Sequence, residues 1–247
     1  MKIKITLLVS AILVLVAVII YSGYQLYLIH QTNTQIAEMR DRLQAYRPTI
    51  QTMQAQQALP YRDLPNAVIN QSIIDLQAKY PDVVGWLTIP DTLVDYPFVQ
   101  ATDNDYYLRR DLDGNSSQAG TLFMDYRNSQ DFSDFNTPVF GHNMRNGSMF
   151  GTLQDIDLDN IGIIFLANAI YEIEFFAFAV IRPNDTIIYN PNIFTEAART
   201  AFLDHIKSVA RYFRDIGATP NDNFVVLSTC SYEFNNARMV LIGRVIK

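Results

Sequence analysis

The sequence FVVLSTCSYEF, residues 224–234, joins an apolar run to a polar turn and contains the chain's only cysteine, Cys230. An apolar run of this length that ends in turn residues is typical of a buried β-strand. With one cysteine in 247 residues, the chain cannot form an internal disulfide. Cys230 is therefore either an inert buried residue or a thiol kept for its reactivity.

Similar runs elsewhere in the chain predict a mainly β fold. Eight short apolar runs separated by turn residues lie between residues 83 and 246: VVGWLTI, VDYPFVQ, GTLFMDY, TPVFGH, IGIIFLA, AIYEIEFFAFAVI, FVVLSTC and ARMVLIGRVI. Eight runs at this spacing indicate one closed or nearly closed β-barrel rather than a doubly wound sheet. One helix interrupts the strands over residues 195–216, with Thr195 as its cap and Gly217 as its stop.

The N-terminal region predicts a membrane anchor. Residues 5–29 carry no charge, and this stretch exceeds the ~20 residues that a helix needs to cross a bilayer. Lys2 and Lys4 precede it and no Lys or Arg follows until Arg40, so the positive-inside bias places the N-terminus in the cytoplasm and the rest outside. A cleaved signal peptide is the alternative, but the segment exceeds the usual ~7–15 apolar residues and no A-x-A site follows it.

Three regions follow from this pattern. Residues 1–30 form the cytoplasmic tip and transmembrane anchor, residues 31–65 a helical spacer, and residues 66–247 the domain that contains Cys230. An apolar stripe at helical period runs through the spacer and is interrupted by Pro48, which predicts two helical pieces joined at Arg47 and Pro48. A coiled-coil oligomer is the alternative to a simple spacer. The motif LPYRDLP then separates the spacer from a further helix over residues 66–79.

Composition excludes several classes of partner and ligand. The chain is 49% hydrophobic and 18% charged with a net charge of −6, which is ordinary for a globular protein but unlike one that binds phosphate backbones. Nucleic acid is therefore not an expected partner. One cysteine and three dispersed histidines give no metal-ligand cluster, so no metal is expected. No other cofactor is expected either.

A reactive thiol needs a histidine to share its proton and a donor for developing negative charge. His30 lies at the membrane edge and His205 within the amphipathic helix, whereas His142 ends a strand and opens the loop GHNMRNG. A satisfied structural histidine is the alternative for His142. If the last two strands form a hairpin with a turn near residues 233–234, Arg238 lies one position from Cys230 across the ladder. Its alternative is a rim arginine paired with Glu233.

The ordered set FGHN, VLSTC and Arg238 resembles the sortase family, and the resemblance extends over residues 66–247. The family signature is a TLxTC strand end followed by an arginine on the next strand; Val226 stands where threonine is usual. The segments DYPFVQATDNDYYLRRDLDG and GTLFMDYRN, with the helices before the barrel and the one between the last strands, resemble class B in particular. Extracytoplasmic domains commonly use cysteines in pairs, so a lone cysteine there favours a reactive thiol.

The resemblance implies a membrane-anchored cysteine transpeptidase of Gram-positive bacteria with an eight-stranded barrel, and makes residues 66–247 its catalytic domain. Cys230 is then the nucleophile, His142 the acid–base group and Arg238 the oxyanion or substrate-positioning donor. Ser228 and Thr229 are expected to line the groove and Asn104 to support it, although DNDYYL also reads as a turn before core tyrosines. Expected partners are surface proteins or pilins with a C-terminal sorting signal, haem-uptake proteins among them, and an amine of peptidoglycan or of a pilin lysine. A catalytically silent binding barrel and a thiol hydrolase remain alternatives.

Overall fold

A computed structural model describes residues 2–48, 69–231 and 236–247. The chain divides into two compact units, Met1–Asp41 and Arg42–Lys247. Residues 2–41 of the first unit lie in one long helix, α1 (Lys2–Leu43). The large apolar side chains of this helix from Leu7 to Ile29 are mostly exposed. Among the described residues, this is the one helix long and apolar enough to cross a membrane. The predicted apolar N-terminal helix is confirmed.

The helix ends where the sequence predicts a break. A 3₁₀ turn, Gln44–Tyr46, follows α1, and Arg47 is extended because the residue before a proline is driven out of the helical region. The second helical piece predicted beyond Pro48, and the motif LPYRDLP, lie outside the described residues. The next helix among the described residues, α2, spans Gln71–Lys79 with Asn70 at its N-cap. Of the helix predicted over residues 66–79, residues 69 and 70 are therefore not helical.

All eight predicted strands are present, and a ninth is added. The strands are β1 (Val83–Thr88), β2 (Asp95–Val99), β3 (Leu122–Met124), β4 (Asn136–Phe140), β5 (Ile161–Leu166), β6 (Ile170–Ile181), β7 (Ala210–Phe213), β8 (Asn223–Cys230) and β9 (Arg238–Ile246). They pair in the order β5-β1-β2-β3-β4-β8-β9-β6-β7, and β5 also pairs with β6. That pairing closes eight strands into a barrel and leaves β7 outside the closure. The predicted barrel is confirmed.

The helix between the last strands is shorter than predicted. Helix α3 spans Glu196–Val209, with the hydroxyl of Thr195 accepting a hydrogen bond from the N–H of Ala198. The predicted continuation to residue 216 is wrong because residues 210–213 form β7, which pairs with the second half of β6. Strand β5 covers only the first half of that edge. Without β7 the rest of the edge would leave its backbone groups unpaired.

Aromatic side chains pack α3 onto the barrel. Phe202 of α3 contacts Phe135 and Phe224 with ring centroids 5.3 and 5.9 Å apart, and all three side chains are buried. Ile206 and Val226 belong to the same cluster. Burying side chains of this size contributes roughly 1.5–3 kcal/mol each. This cluster fixes one end of β8, and Cys230 lies at its other end.

Candidate active site

Two parallel strands bring His142 level with Cys230. Strands β4 and β8 pair in parallel, with Phe140 opposite Ser228. The register continues past the strand end, since the N–H of Gly141 donates to the carbonyl of Ser228 at 3.1 Å. Two residues beyond the Phe140–Ser228 pair are His142 and Cys230, and paired strands lie ~4.8 Å apart. His142 and Cys230 therefore follow the strand pair at the same level, and both line the same cleft.

Arg238 lies directly opposite Cys230. In the antiparallel pair of β8 and β9, Cys230 is the register partner of Arg238 and Thr229 that of Met239. The sequence-based register, which placed Arg238 one position from Cys230, is therefore wrong by one residue. Opposed residues project to the same face of a sheet, with Cβ atoms ~4.5–5.5 Å apart. The corrected register brings the guanidinium to the same side as the thiol.

Backbone carbonyls hold the Arg238 guanidinium. Its Nη1 donates to the carbonyls of Asn236 and Ala237 at 3.2 and 3.3 Å. The N–H of Ser231 donates to the carbonyl of Ala237 at 2.8 Å, which extends the ladder one step beyond the Cys230–Arg238 pair. The alternative partner of Arg238, Glu233, lies outside the described residues.

The imidazole of His142 is oriented by a carbonyl from another part of the chain. Its Nε2 lies 2.6 Å from the carbonyl oxygen of Leu108. A carbonyl oxygen only accepts, so this contact requires the proton on Nε2 and leaves Nδ1 as the ring nitrogen that can exchange a proton. Leu108 belongs to a 3₁₀ turn, Tyr106–Arg109, whose start is fixed by the Asp103 carboxylate accepting from the N–H groups of Asp105 and Tyr106.

The loop after His142 is tied to the cysteine strand. The side-chain amide of Asn143 donates to the carbonyl of Cys230 at 2.8 Å, and the N–H of Phe150 donates to the carbonyl of His142 at 3.0 Å. Gly141 is required because a side chain there would collide with Leu122 and Phe150. These contacts keep His142 and Cys230 together at the strand ends.

One cleft of about 330 Å³ joins all of the predicted site residues. Cys230 is exposed, whereas Ser228 and Thr229 are buried beneath it. The cleft is mainly apolar with a few polar groups at fixed places, as is typical of ligand sites. Its lining comprises Asn104, Leu108, Phe123, Asp125, Arg127, Phe140, Gly141, His142, Pro183, Tyr189, Ser228, Thr229, Cys230 and Arg238.

Tyr189 lines the cleft and was missed by the sequence analysis. Its hydroxyl lies 2.7 Å from the Ser228 hydroxyl, and its ring packs 5.9 Å from that of Phe140. Burial raises the pKa of Tyr189 to about 12, although Ser228 and Arg238 oppose that rise. The phenol is therefore protonated at neutral pH and able to donate a hydrogen bond. A tyrosine in the polar stretch RPNDTIIYNPN was the available signal.

Asn104 is held by a second group of missed residues, Asp125 and Arg127. The Asn104 amide donates to Asp125 Oδ2 at 3.1 Å and accepts from the N–H of Tyr126 at 3.1 Å. Arg127 forks onto the same carboxylate, from Nε to Oδ1 at 2.8 Å and from Nη2 to Oδ2 at 2.7 Å. Burial alone would raise the pKa of Asp125, but these hydrogen bonds hold it below its ordinary value. The spacing in MDYRN was the available signal.

His205 pairs with Asp185 at 2.7 Å and does not line the cleft. Within residues 2–48, 69–231 and 236–247, no three His, Cys, Asp or Glu side chains are grouped so as to hold a metal ion.

The chain is similar to proteins of the sortase family. A model of the sortase domain matches residues 87–246. Sortase B of Listeria monocytogenes is 36% identical over 191 residues, which cover 73% of this chain and 76% of that protein. Sortase B of Staphylococcus aureus is 27% identical over 180 residues, covering 67% and 71%. A crystal structure of sortase B from Bacillus anthracis superposes with a TM-score of 0.72 at 28% identity, covering 90% of this chain and 99% of that one.

Proposed function

The chain belongs to the sortase family of cysteine transpeptidases, in its class B, and we propose that Cys230 is its nucleophile, His142 its acid–base group and Arg238 its oxyanion donor. The observation that carries this proposal is the meeting of three strand ends. Strand β8 ends at the exposed Cys230, β9 begins at Arg238 directly opposite it, and β4 leads to His142 at the same level.

The proposed reaction has two halves. The Cys230 thiolate attacks the carbonyl carbon of the threonine in a sorting signal, and Arg238 stabilises the oxyanion that forms. The C–N bond then breaks, the leaving amine takes a proton from His142, and a thioester remains on Cys230. A second amine attacks the thioester and gives its proton to His142, the thiolate leaves, and a new amide bond joins the two chains.

Sortases act on proteins that carry sorting signals, and we propose that the partners here are surface proteins or pilins with such a signal at the C-terminus. Ser228, Thr229 and Asn104 are proposed to bind the peptide, since all three line the cleft beside Cys230. The proposed acceptor is an amine of the cell-wall peptide or of a pilin lysine.

We propose that the chain is anchored by residues 1–30, followed by a spacer at 31–65 and the catalytic domain at 66–247. A single span with a cytoplasmic N-terminus and an extracellular catalytic domain agrees with Lys2 and Lys4 before the apolar stretch. The exposed apolar side chains of α1 support this anchoring, since lipid would cover them. Protease added to intact protoplasts should degrade residues 66–247; protection of that region would overturn the orientation.

Mass spectrometry of the full chain in detergent micelles tests the chemistry. The chain is incubated with LPxTG-like and NPxTx-like peptides, with and without an oligoglycine amine, and Cys230 is examined for an acyl adduct. We expect a thioester that is absent in Cys230→Ala and is consumed by the amine. A folded protein that forms no adduct with any peptide favours the silent binding barrel. A product whose yield is unchanged by amine or hydroxylamine favours the thiol hydrolase.

A further inference from the structure

We propose that Asp125 and Arg127 form a positioning pair that holds two segments of the cleft lining at a fixed separation. The first segment is residues 104–108, which contains Asn104 and Leu108, and the second is residues 183–189, which contains Tyr189. The inference rests on the proposed function for its consequence, which is correct placement of a sorting peptide. Neither residue is placed at the reacting atoms.

The pair is built as a rigid unit. Asp125 has a side chain that is 1% exposed, and both of its oxygens are engaged by the Arg127 fork. Its oxygen Oδ1 also accepts from the N–H of Arg127 at 3.0 Å. A buried carboxylate with this many charge-assisted donors is held in one orientation. Rotating it would break these hydrogen bonds and leave its negative charge buried without a partner.

Each cleft segment is tied to this unit by its own bond. Asn104 of the first segment donates to Asp125 Oδ2 at 3.1 Å. The carbonyl of Tyr189 in the second segment accepts from Arg127 Nη2 at 3.1 Å. Segments more than seventy residues apart in sequence are thus connected through a carboxylate and a guanidinium.

The first segment contacts a proposed catalytic residue, and the second contacts a proposed peptide-binding residue. The first supplies the Leu108 carbonyl, which orients the imidazole of His142 at 2.6 Å. The second supplies the Tyr189 hydroxyl, which lies 2.7 Å from the hydroxyl of Ser228, two residues before Cys230. A change in their separation would therefore alter the shape of the cleft lining and weaken its hold on the peptide.

The role requires an arginine. Arg127 uses Nε and Nη2 on Asp125 and Nη2 again on Tyr189, so its planar fork spans two partners at once. A lysine has a single ammonium on a flexible stem and cannot reproduce this geometry. Arg199 offers a matched control, because it also donates to a carbonyl after Tyr189, that of Ile193, but lies outside the cleft lining.

Kinetics of the full chain in detergent micelles test the pair with Arg127→Lys, Asp125→Asn and the control Arg199→Lys. We expect Arg127→Lys and Asp125→Asn to raise KM for the sorting peptide about tenfold while kcat falls less than about threefold, since peptide placement is lost rather than the chemistry. Alkylation of Cys230 by iodoacetamide should proceed at the wild-type rate in all variants. Arg199→Lys should leave KM unchanged.

Hydrogen exchange followed by mass spectrometry tests the connection independently of turnover. Asp125→Asn should speed exchange in residues 104–108 and 183–189 together, Arg127→Lys only in 183–189, and Arg199→Lys in neither. A wild-type chain that makes no thioester would overturn the proposed function, and the exchange data would still decide whether the connection exists. Unchanged exchange in both segments of Asp125→Asn, or an unchanged KM in an active enzyme, would overturn the positioning pair.

Discussion

Gly120→Ala should damage both stability and turnover, although Gly120 lies outside the lining of the cleft. Gly120 has a φ of +59°, a left-handed conformation that costs an ordinary residue ~1–2 kcal/mol. A Cβ atom there would lie 2.6 Å from the carbonyl oxygen of Leu108 and 2.7 Å from that of Tyr107. Backbone atoms must shift to relieve such contacts, and one of them is the oxygen that orients His142.

Gly217 provides the matched control. Its φ is +67°, and no described atom lies within 4 Å of the Cβ position. Gly217→Ala therefore carries the conformational cost alone, about 1 kcal/mol or a Tm lowered by roughly 2–4 °C for a domain of this size. Gly120→Ala should cost about 3 kcal/mol, or roughly 6–12 °C, because the displaced backbone adds to the same conformational cost.

Activity separates the two variants further. Displacing the Leu108 carbonyl weakens the hydrogen bond of His142, and losing ~1 kcal/mol of that orientation lowers kcat/KM about fivefold. Gly217→Ala should retain wild-type kcat/KM. Differential scanning fluorimetry and peptide turnover in the same detergent measure both quantities. Equal melting temperatures and equal kcat/KM for the two variants would refute the reasoning.

Three further predictions test the site. Tyr189→Phe should lower the free energy of unfolding by about 1–2 kcal/mol because it leaves the buried Ser228 hydroxyl without its 2.7 Å partner, and urea unfolding should show a smaller added cost when Ser228→Ala is combined with it. Since the folded pKa of Asp125 is depressed, its stabilisation is present above the ordinary value of ~3.9 and is lost as pH falls through the folded value. The difference in unfolding free energy between wild type and Asp125→Asn should therefore shrink between pH 6 and pH 3; a constant difference would contradict this assignment. Asn143→Ala should lower kcat/KM about fivefold through loss of its bond to the Cys230 carbonyl, and wild-type turnover would show that this bond is dispensable.

The strands could be predicted because each is a local pattern. An apolar run bounded by turn residues is visible within ten residues of sequence, and all eight such runs form strands. Strand β7 was missed because residues 210–213 continue a helical pattern, and only the uncovered edge of β6 makes them extended. No sequence window near residue 210 contains that edge, so tertiary pairing overrode the local preference.

The sequence predicted that Cys230, His142 and Arg238 meet at one site, and they line one cleft, but the register of the strands and the groups that support these residues could not be predicted. Residues 231–237 connect β8 to β9. Moving the centre of this connection by half a residue position shifts the strand pairing by one residue, and so changes which residue lies opposite Cys230. The partner of His142 is a backbone carbonyl at Leu108, and a carbonyl carries no sequence signal. The contact between Arg127 and Tyr189 could not be predicted, because these residues lie 62 positions apart and meet only when the chain folds.

The family signature has threonine where this chain has Val226, and the different surroundings of the two ends of β8 explain the difference. Val226, Ser228 and Cys230 share one face of the strand because side chains alternate with a period of two. At Val226 this face is fully buried in the cluster that packs α3 onto the barrel, whereas at Cys230, ~13 Å further along, it opens into the cleft. A threonine hydroxyl at Val226 would have to find a partner among aromatic and aliphatic side chains. Valine is therefore suited to the core end of the strand, and the substitution leaves the polar end, where the chemistry is proposed to occur, unchanged.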